Sequence, residues 1–285
     1  MSVKREYVLL LMCLLAVFSV ICGCITNENP TGASLSTWKE DGDMTVAFID
    51  VGHGDCAVIT SGSDTIVVDT GSVLTTERVL DYLYCEHTED IDYMFITHPH
   101  ADHDGGVSAI YNYYTVHRYY DNKNASRGDI IDVGDIRIEL LNPVKGKKYS
   151  DVNDSSIVMR LMYKGSSILL TGDAEKSAEN DMIESGCNLD ADVIKIGHHG
   201  SKTSSTYKFL QAVSPSIAVI SCNDKYGNPS QEVIERLVKL GAITYITGRD
   251  GDVELKFCDN GISIRASNID EVASYDYASG KFFRA

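Results

Sequence analysis

The chain has 285 residues, of which 44% are hydrophobic and 23% are charged. This composition favours a folded protein with one large core or two small ones, and it excludes a largely disordered chain. With 41 acidic and 25 basic residues, the formal net charge is −16. Proteins that hold nucleic acid mainly through phosphate contacts are normally basic, so no strong electrostatic nucleic-acid surface is evident. A phosphodiester substrate stays compatible with this charge, because bound metal ions can supply local positive charge.

The N-terminal segment has the features of a secretory signal in their usual order. Lys4 and Arg5 precede the apolar run YVLLLMCLLAVFSVICGC, which ends at Cys24. This run is short for a stable membrane span and ends in small residues, which favours a signal peptide over residues 1–24. Its ICGC ending resembles a lipobox, so we expect lipidation of Cys24 and an extracytoplasmic protein that is membrane-anchored or secreted. An uncleaved N-terminal membrane helix is the alternative.

Residues 25–43 are rich in Asn, Thr, Ser and Gly, which predicts a flexible tether. Beyond the tether, short apolar runs predict strands at 44–51, 56–61, 65–70, 93–97 and 115–120. Apolar residues at helical spacing predict helices at 75–83 and 107–114. Strands therefore dominate this part of the chain, with helices interspersed.

The second half repeats this pattern. Strands are predicted within 135–171, at 192–197 and 216–222, and in the stretches AITYIT, VELKF and ISIRA. Helices are predicted at 175–185, 204–213 and 231–241, and the last is amphipathic, with one face formed by Val233, Ile234, Leu237 and Val238. The order of elements predicts a layered α/β domain with two sheets and outer helices over residues 44–266. Residues 267–285 form a C-terminal extension without an assignment.

Residues 96–106, ITHPHADHDGG, carry three of the eight histidines directly after a predicted strand. Alternate residues of an extended chain point the same way, so His98, His100 and Asp102 can converge at the strand end, with His103 on the other side of the same pocket. Imidazoles and carboxylates suit Zn, and also Mn or Fe. Four ligands from one loop exceed what a single tetrahedral ion takes, so the pattern predicts two divalent ions, with other segments completing both shells.

HPHADH resembles the H-x-H-x-D-H signature of the metallo-β-lactamase superfamily. Other segments resemble motifs of the ComEC-like branch of DNA-uptake proteins in the same order, over about residues 44–262; these are FIDVGHGDCAVI, IVVDTG, NDSSIVMRL, ILLTGDAE, DVIKIGHHGSKTSS and ISCNDKYGNP. The resemblance implies a four-layer αββα sandwich with a dinuclear metal site at one edge of its two sheets.

The resemblance also implies ligands for both ions. His98 and His100 would hold one ion, and Asp173 would bridge the two. The remaining ligands, which would hold the second ion, are Asp102, His103 and His198, the last chosen over its neighbour His199. The ions, Zn or alternatively Mn, would share a hydroxide aimed at a phosphoryl or carbonyl centre. Asp102 or the bridging Asp173 would handle the proton.

Further residues are expected around these ligands. Asp69 of IVVDTG would support the site. Asn153 or Asp154 stands where many members of the superfamily have another histidine, since His117 aligns poorly with that role and is better explained as an ordinary strand residue. The candidate substrate-binding residues, in loops expected near the site, are His53, Ser201, Lys202, Tyr226 and Asn228. His53 replaces a usual glutamine, and Asn228 replaces a usual histidine.

The leading hypothesis is a membrane-tethered extracytoplasmic metal-dependent hydrolase of the ComEC-like type. Its substrate would be a phosphodiester such as DNA or a nucleotide. A β-lactam or lactone hydrolase on the same fold is one alternative, and the ComEC-like motifs count against it. The other is a non-catalytic binding lipoprotein on a relic hydrolase fold, which the retained ligands oppose and Asn228 keeps open.

Overall fold

The computed structural model of the protein describes residues 44–269, 272–276, 279 and 281–284. The expected signal peptide, the lipidation of Cys24 and the tether of residues 25–43 therefore lie outside the described residues. Within these ranges, no helix combines the length and apolar character needed to cross a bilayer.

The first sheet contains nine strands, which are β1 (Met44–Phe48), β2 (Ala57–Ser61), β3 (Asp64–Val68), β4 (Asp90–Ile96), β5 (Thr115–Asp121), β13 (Val253–Cys258), β14 (Gly261–Ala266), β15 (Ala273–Asp276) and β16 (Lys281–Arg284). Their order across the sheet is β16-β15-β14-β13-β1-β2-β3-β4-β5. The β3–β4 and β4–β5 pairs are parallel, and the other pairs are antiparallel. Strands from distant parts of the chain thus share one sheet.

The second sheet contains seven strands, which are β6 (Ile130–Val133), β7 (Ile136–Asn142), β8 (Val158–Tyr163), β9 (Ser166–Leu170), β10 (Val193–Lys195), β11 (Ile217–Ile220) and β12 (Ile243–Ile246). Their order is β12-β11-β10-β9-β8-β7-β6. β6 to β9 pair antiparallel, whereas β9 to β12 pair parallel. Parallel neighbours need crossover connections, and helices supply them here.

Seven helices accompany the sheets, which are α1 (Thr76–Cys85), α2 (Ala101–Asp104), α3 (Val107–Tyr113), α4 (Lys176–Glu184), α5 (Tyr207–Val213), α6 (Gln231–Leu240) and α7 (Thr247–Asp250), all within the described ranges. Side chains such as Phe48, Phe95 and Tyr163 form an apolar core between the two sheets. Residues of α1 and α3 pack on the outer face of the first sheet. Residues of α4, α5 and α6 pack on the outer face of the second. The predicted four-layer αββα sandwich is confirmed.

The apolar face predicted for α6 is wrong at one position. Val233 and Leu237 are buried, four residues apart, and Ile234 is half-buried beside them, but Val238 is 71% exposed. Val238 follows Leu237 by one residue, so it is turned about 100° away from the stripe that faces the sheet. The helix begins at the Ser230 cap, whose side chain accepts a hydrogen bond from the backbone N–H of Val233. The buried face is therefore narrower than the sequence pattern indicated.

Three strands lie where no strand was predicted. The first is β6, which forms a hairpin with the predicted strand β7. Val133 pairs with Ile136 across the two-residue turn between them. β15 pairs with β14, and β16 pairs with β15, so strands within the unassigned stretch 267–285 extend the first sheet. Each of these strands has only four residues, and in such short runs the alternation of apolar residues gives a weak signal.

Candidate metal centre

The H-x-H-x-D-H loop begins immediately after β4 and then turns into a helix. His98 is still close to the strand end, and His100 is the N-cap of α2 with an extended backbone. Asp102 and His103 lie within α2 itself. The expected convergence of alternate residues on extended chain therefore holds only up to His100. Beyond it, the helical turn brings His103 back beside His98, with ring centroids 4.2 Å apart.

One group of potential ligands consists of His98, His103 and Asp173, and all three are buried. Asp173 follows β9 of the second sheet, and its Oδ2 lies 3.4 Å from His103 Nε2 and 3.8 Å from His98 Nε2. His100 is exposed at the rim, where its Nδ1 lies 2.9 Å from His98 Nε2. The loop histidines thus present ring nitrogens to one small volume beside the Asp173 carboxylate.

A second group shares Asp173 with the first. His199 Nε2 lies 3.5 Å from Asp173 Oδ2 and 3.4 Å from Asp102 Oδ2. His199 is buried, while Asp102 is 28% exposed in its side chain and lines the mouth of the cluster. The position of Asp173 between rings from both groups is the arrangement expected of a bridging carboxylate.

The structure favours His199 over His198, the histidine chosen from sequence. The His199 Nδ1–H donates to the Ser221 carbonyl over 3.0 Å, because a carbonyl can only accept. That bond leaves Nε2 as the ring nitrogen that faces the carboxylates of Asp102 and Asp173. His198 is more exposed, its Nδ1 lies 2.8 Å from Glu175 Oε1, and its Nε2 is 3.9 Å from Asp173 Oδ2. Both histidines have a left-handed backbone, and their rings meet different partners.

Asp69 orients His103, in agreement with its expected supporting role. The carboxylate accepts hydrogen bonds from the Thr97 backbone N–H over 2.7 Å and from the Thr97 hydroxyl over 2.8 Å. It also accepts from His103 Nδ1 over 2.8 Å. This bond fixes the tautomer in which His103 Nε2 faces Asp173.

The pKa values within the cluster reflect close opposite charges. Burial would raise the pKa of Asp173, but His199 and His103 hold it well below its usual range. Burial likewise opposes the shift at His199, where Asp173 and the nearby Asp102 and Asp55 carboxylates raise the pKa to about 10. Burial and the neighbouring His103 lower the pKa of His98 to about 3. The buried carboxylates require positive charge beside them, and a divalent ion among the same atoms would supply it.

Unpaired polar atoms show that these residues fit a divalent ion. Among the described residues, His103 Nε2, His199 Nε2 and Asp173 Oδ1 are buried and make no hydrogen bond. A buried polar atom without a partner costs roughly 1–3 kcal/mol, so a cation bound by several of them in one cluster would offset that cost. Imidazole nitrogen and carboxylate oxygen are donors that zinc accepts readily.

Asp154 and Asn153 have different environments. Asp154 Oδ1 accepts hydrogen bonds from the backbone N–H groups of Glu175 and Ala178, at 3.2 and 3.1 Å, and so supports the start of α4. Asn153 Oδ1 is buried and has no hydrogen-bond partner within the described part of the chain. Of the two, Asn153 is the one with a buried oxygen that lacks a hydrogen-bond partner. His117 lies exposed on β5 beside Asp90, as expected of an ordinary strand residue.

The candidate substrate-binding residues lie in loops of the second half and in the β1–β2 turn. The His53 ring lies 4.4 Å from the His199 ring and 4.8 Å from the Tyr226 ring. Ser201 directly follows the His198–His199 turn, and Lys202 beside it is exposed. Asn228 precedes Pro229 through a cis peptide bond and ends a short 3₁₀ turn, Lys225–Gly227.

Asp55 is a site residue that sequence reasoning missed. It is buried, its Oδ2 accepts a hydrogen bond from Lys195 Nζ over 2.7 Å, and its Oδ1 lies 3.5 Å from His199 Nδ1. The Asp55–Lys195 ion pair therefore lies beside His199 of the second ligand group. Its place in the motif DVGHGD, directly after Gly54, was the available signal.

The metallo-beta-lactamase superfamily model matches residues 49–128. Three curated relatives cover most of this chain. ComE operon protein 3 of Bacillus subtilis is 27% identical, over 74% of this chain and 33% of the relative. Competence protein ComA of Neisseria gonorrhoeae is 27% identical, over 81% and 38%. Recombination protein 2 of Haemophilus influenzae is 29% identical, over 92% and 34%. The chain spans roughly a third of the length of these relatives.

Solved structures share the fold at low sequence identity. The metallo-beta-lactamase fold protein YhfI from Bacillus subtilis superposes with a TM-score of 0.50 and 12% identity, over 72% of this chain and 96% of that one. The CmlA beta-hydroxylase E377D mutant gives a TM-score of 0.53 and 12% identity, over 77% and 55%. The sandwich, the shared Asp173 and the motifs lead to one conclusion: this chain has the metallo-β-lactamase fold and is similar to the ComEC-like competence proteins.

Proposed function

We propose that the protein is a metal-dependent hydrolase that cleaves phosphodiester bonds, in DNA or in a nucleotide. The observation that carries the proposal is the pair of ligand groups joined at Asp173, with unpaired nitrogens of His103 and His199 facing it. Two ions close together are a common solution for phosphodiester hydrolysis, because both the attacking and the leaving oxygen need charge stabilisation.

The residues that would hold the ions, Zn or alternatively Mn, are His98, His100, Asp102, His103, Asp173 and His199. Bound there, the ions supply Lewis acidity and make a water molecule more acidic. Asp102 is the accessible carboxylate of the set. Burial opposes the shift, but His199 lowers the pKa of Asp102 to about 2, so its carboxylate is ionised and can accept a proton at the mouth of the site.

A phosphodiester is preferred to a β-lactam for two reasons. The relatives that match most of this chain are named for competence and recombination, processes that handle DNA. Ser201 and Lys202 also directly follow the histidine turn and offer a hydroxyl and a cation, which suits an anionic substrate. Since the net charge is −16, affinity for such a substrate would depend on the ions and these few groups.

The location is part of the proposal. The charged start, apolar run and ICGC ending of residues 1–24 support a lipoprotein anchored outside the cytoplasm. Metabolic labelling with a radioactive fatty acid tests this, because Cys24→Ser should abolish the label. A labelled Cys24→Ser chain would reject lipidation at this residue.

The activity is tested by supplying Zn or Mn to the purified chain with linear DNA, bis-p-nitrophenyl phosphate or nitrocefin. We expect turnover of the phosphodiesters and its loss in Asp173→Asn and His100→Ala. Nitrocefin turnover without phosphodiester cleavage would instead favour a lactam or lactone hydrolase. Fewer than one bound ion per chain, with no turnover of any substrate, would favour a binding protein on a relic fold.

A further inference from the structure

We propose that His53 is an additional metal donor, which joins Asp102 and His199 at the second ion. This inference rests on the proposed metal centre and adds to it a residue from the β1–β2 turn, outside the histidine loops. One donor atom each from His53, Asp102 and His199 lies within 4.8 Å of the other two.

The turn that carries His53 is fixed against the loop that carries Asp102. The Asp55 backbone N–H donates to the Asp102 carbonyl over 3.2 Å. Gly54 has φ +143°, and a Cβ there would lie 2.4 Å from the same carbonyl oxygen, so only glycine allows this approach. The backbone that follows His53 is therefore held beside the ligand loop, which keeps His53 near Asp102.

The spacing of the three residues suits shared ligands better than hydrogen bonds. His53 Nε2 lies 3.8 Å from Asp102 Oδ2, which is too long for a hydrogen bond. His199 Nε2 lies 3.4 Å from the same oxygen. Two ligands of one tetrahedral zinc ion, at bond lengths of about 2.0–2.2 Å, lie roughly 3.4 Å apart. The observed separations equal this value or are slightly longer.

No protein contact among the described residues explains the polarity of this side chain. His53 Nδ1 is buried and makes no hydrogen bond there. The ring is confined between His199 and Tyr226, with centroids 4.4 and 4.8 Å away. Nε2 faces Asp102 Oδ2 and is the nitrogen that the ring offers to an ion.

Binding of Co²⁺ to the full-length chain tests the proposal without measuring activity. Titration calorimetry and the visible absorption of Co²⁺ report affinity and coordination. Wild-type protein should bind two ions. His53→Gln, which removes the imidazole but keeps a polar side chain, should weaken one of the two sites by about 100-fold or more, beyond the roughly 10–100-fold typical of residues that only orient ligands. The Co²⁺ spectrum of that site should also change.

His117→Gln is the matched control, because His117 is exposed on β5 and lies beside Asp90 at 3.5 Å. It should leave both affinities and the spectrum unchanged. If His53→Gln fails to fold, diethyl pyrocarbonate labelling of the unaltered chain replaces it. Zn should protect His53 from modification, as read by mass spectrometry, and should leave the labelling of His117 unchanged.

Two outcomes overturn the inference, and they are distinguishable from failure of the proposed function. A folded His53→Gln chain with wild-type Co²⁺ affinities and spectrum would show that His53 is not a donor while the metal centre stands. Equal labelling of His53 with and without Zn, in a chain that binds Zn, would do the same. A wild-type chain that binds no divalent ion would reject the metal centre itself.

Discussion

Replacing Asp69 with asparagine tests whether the centre depends on residues that hold its ligands in place. Asp69 is buried and accepts hydrogen bonds from the Thr97 backbone, the Thr97 hydroxyl and His103 Nδ1. Asparagine has nearly the same shape, but one carboxylate oxygen becomes an NH₂ group, which donates and cannot accept. An NH₂ group at the Oδ1 position cannot accept from the Thr97 backbone N–H, and one at the Oδ2 position cannot accept from the Thr97 hydroxyl or from His103 Nδ1.

The size of the effect follows from that loss. A buried donor without an acceptor costs about 1–3 kcal/mol, so we expect Asp69→Asn to lower the free energy of unfolding by about 2–4 kcal/mol when two bonds are disturbed. The His103 ring also loses the partner that sets its tautomer. Loss of such an orienting partner typically lowers metal affinity about 10–100-fold.

Urea unfolding measures the stability, and competition with a chromophoric chelator measures Zn affinity. Asp92→Asn is the control, because Asp92 accepts a bond from the Thr65 backbone over 2.8 Å and supports the strands rather than a histidine. It should lose stability and keep its Zn affinity. Wild-type Zn affinity in a folded Asp69→Asn chain would refute the claim that Asp69 positions His103.

Burial raises the pKa of Glu179 from its usual 4.5 to about 7, so between these pH values the folded state keeps a proton that the unfolded state has lost. Stability should fall by about 3 kcal/mol as the pH rises from 4.5 to 7, and thermal unfolding of Glu179→Gln should lack this fall. Leu237→Ala should cost about 2–5 kcal/mol in urea unfolding, and Val238→Ala less than about 0.5; equal losses would contradict the orientation of α6. Lys195→Met leaves the buried Asp55 carboxylate unpaired and should cost about 3–5 kcal/mol in chemical denaturation, so a neutral effect would contradict the buried pair.

The part of the centre that could be predicted is the part encoded by contiguous motifs. His98, His100, Asp102 and His103 stand in one short loop after an apolar strand, so their proximity follows from chain connectivity alone. The sandwich could be predicted for the same reason, because strands and helices alternate with clear periodicity over most of the chain. Asp173 came only from the resemblance, since no local feature of ILLTGDAE links it to a loop 70 residues earlier.

The parts that could not be predicted depend on contacts between distant segments. His198 and His199 are adjacent and share a backbone conformation. What distinguishes them is the partner of each ring, since His198 meets Glu175 and His199 meets the Ser221 carbonyl. Asp154 is likewise assigned by its bonds to the start of α4, which sequence spacing does not show. A side chain that hydrogen-bonds across sequence distance takes its role from the fold, and a motif cannot specify it.

Neither sheet contains the centre by itself. Loops of the first sheet carry His103 and Asp102, whereas loops of the second carry Asp173 and His199. The low pKa of Asp173 depends on rings from both sheets, so the electrostatics of the cluster exist only when the apolar core has brought the sheets together. An ion bound by these residues would bind the packed sandwich and not the unfolded chain. Its binding free energy would therefore add to the stability of the fold. The apolar core positions the ligands, and the bound ion would in turn stabilise that core.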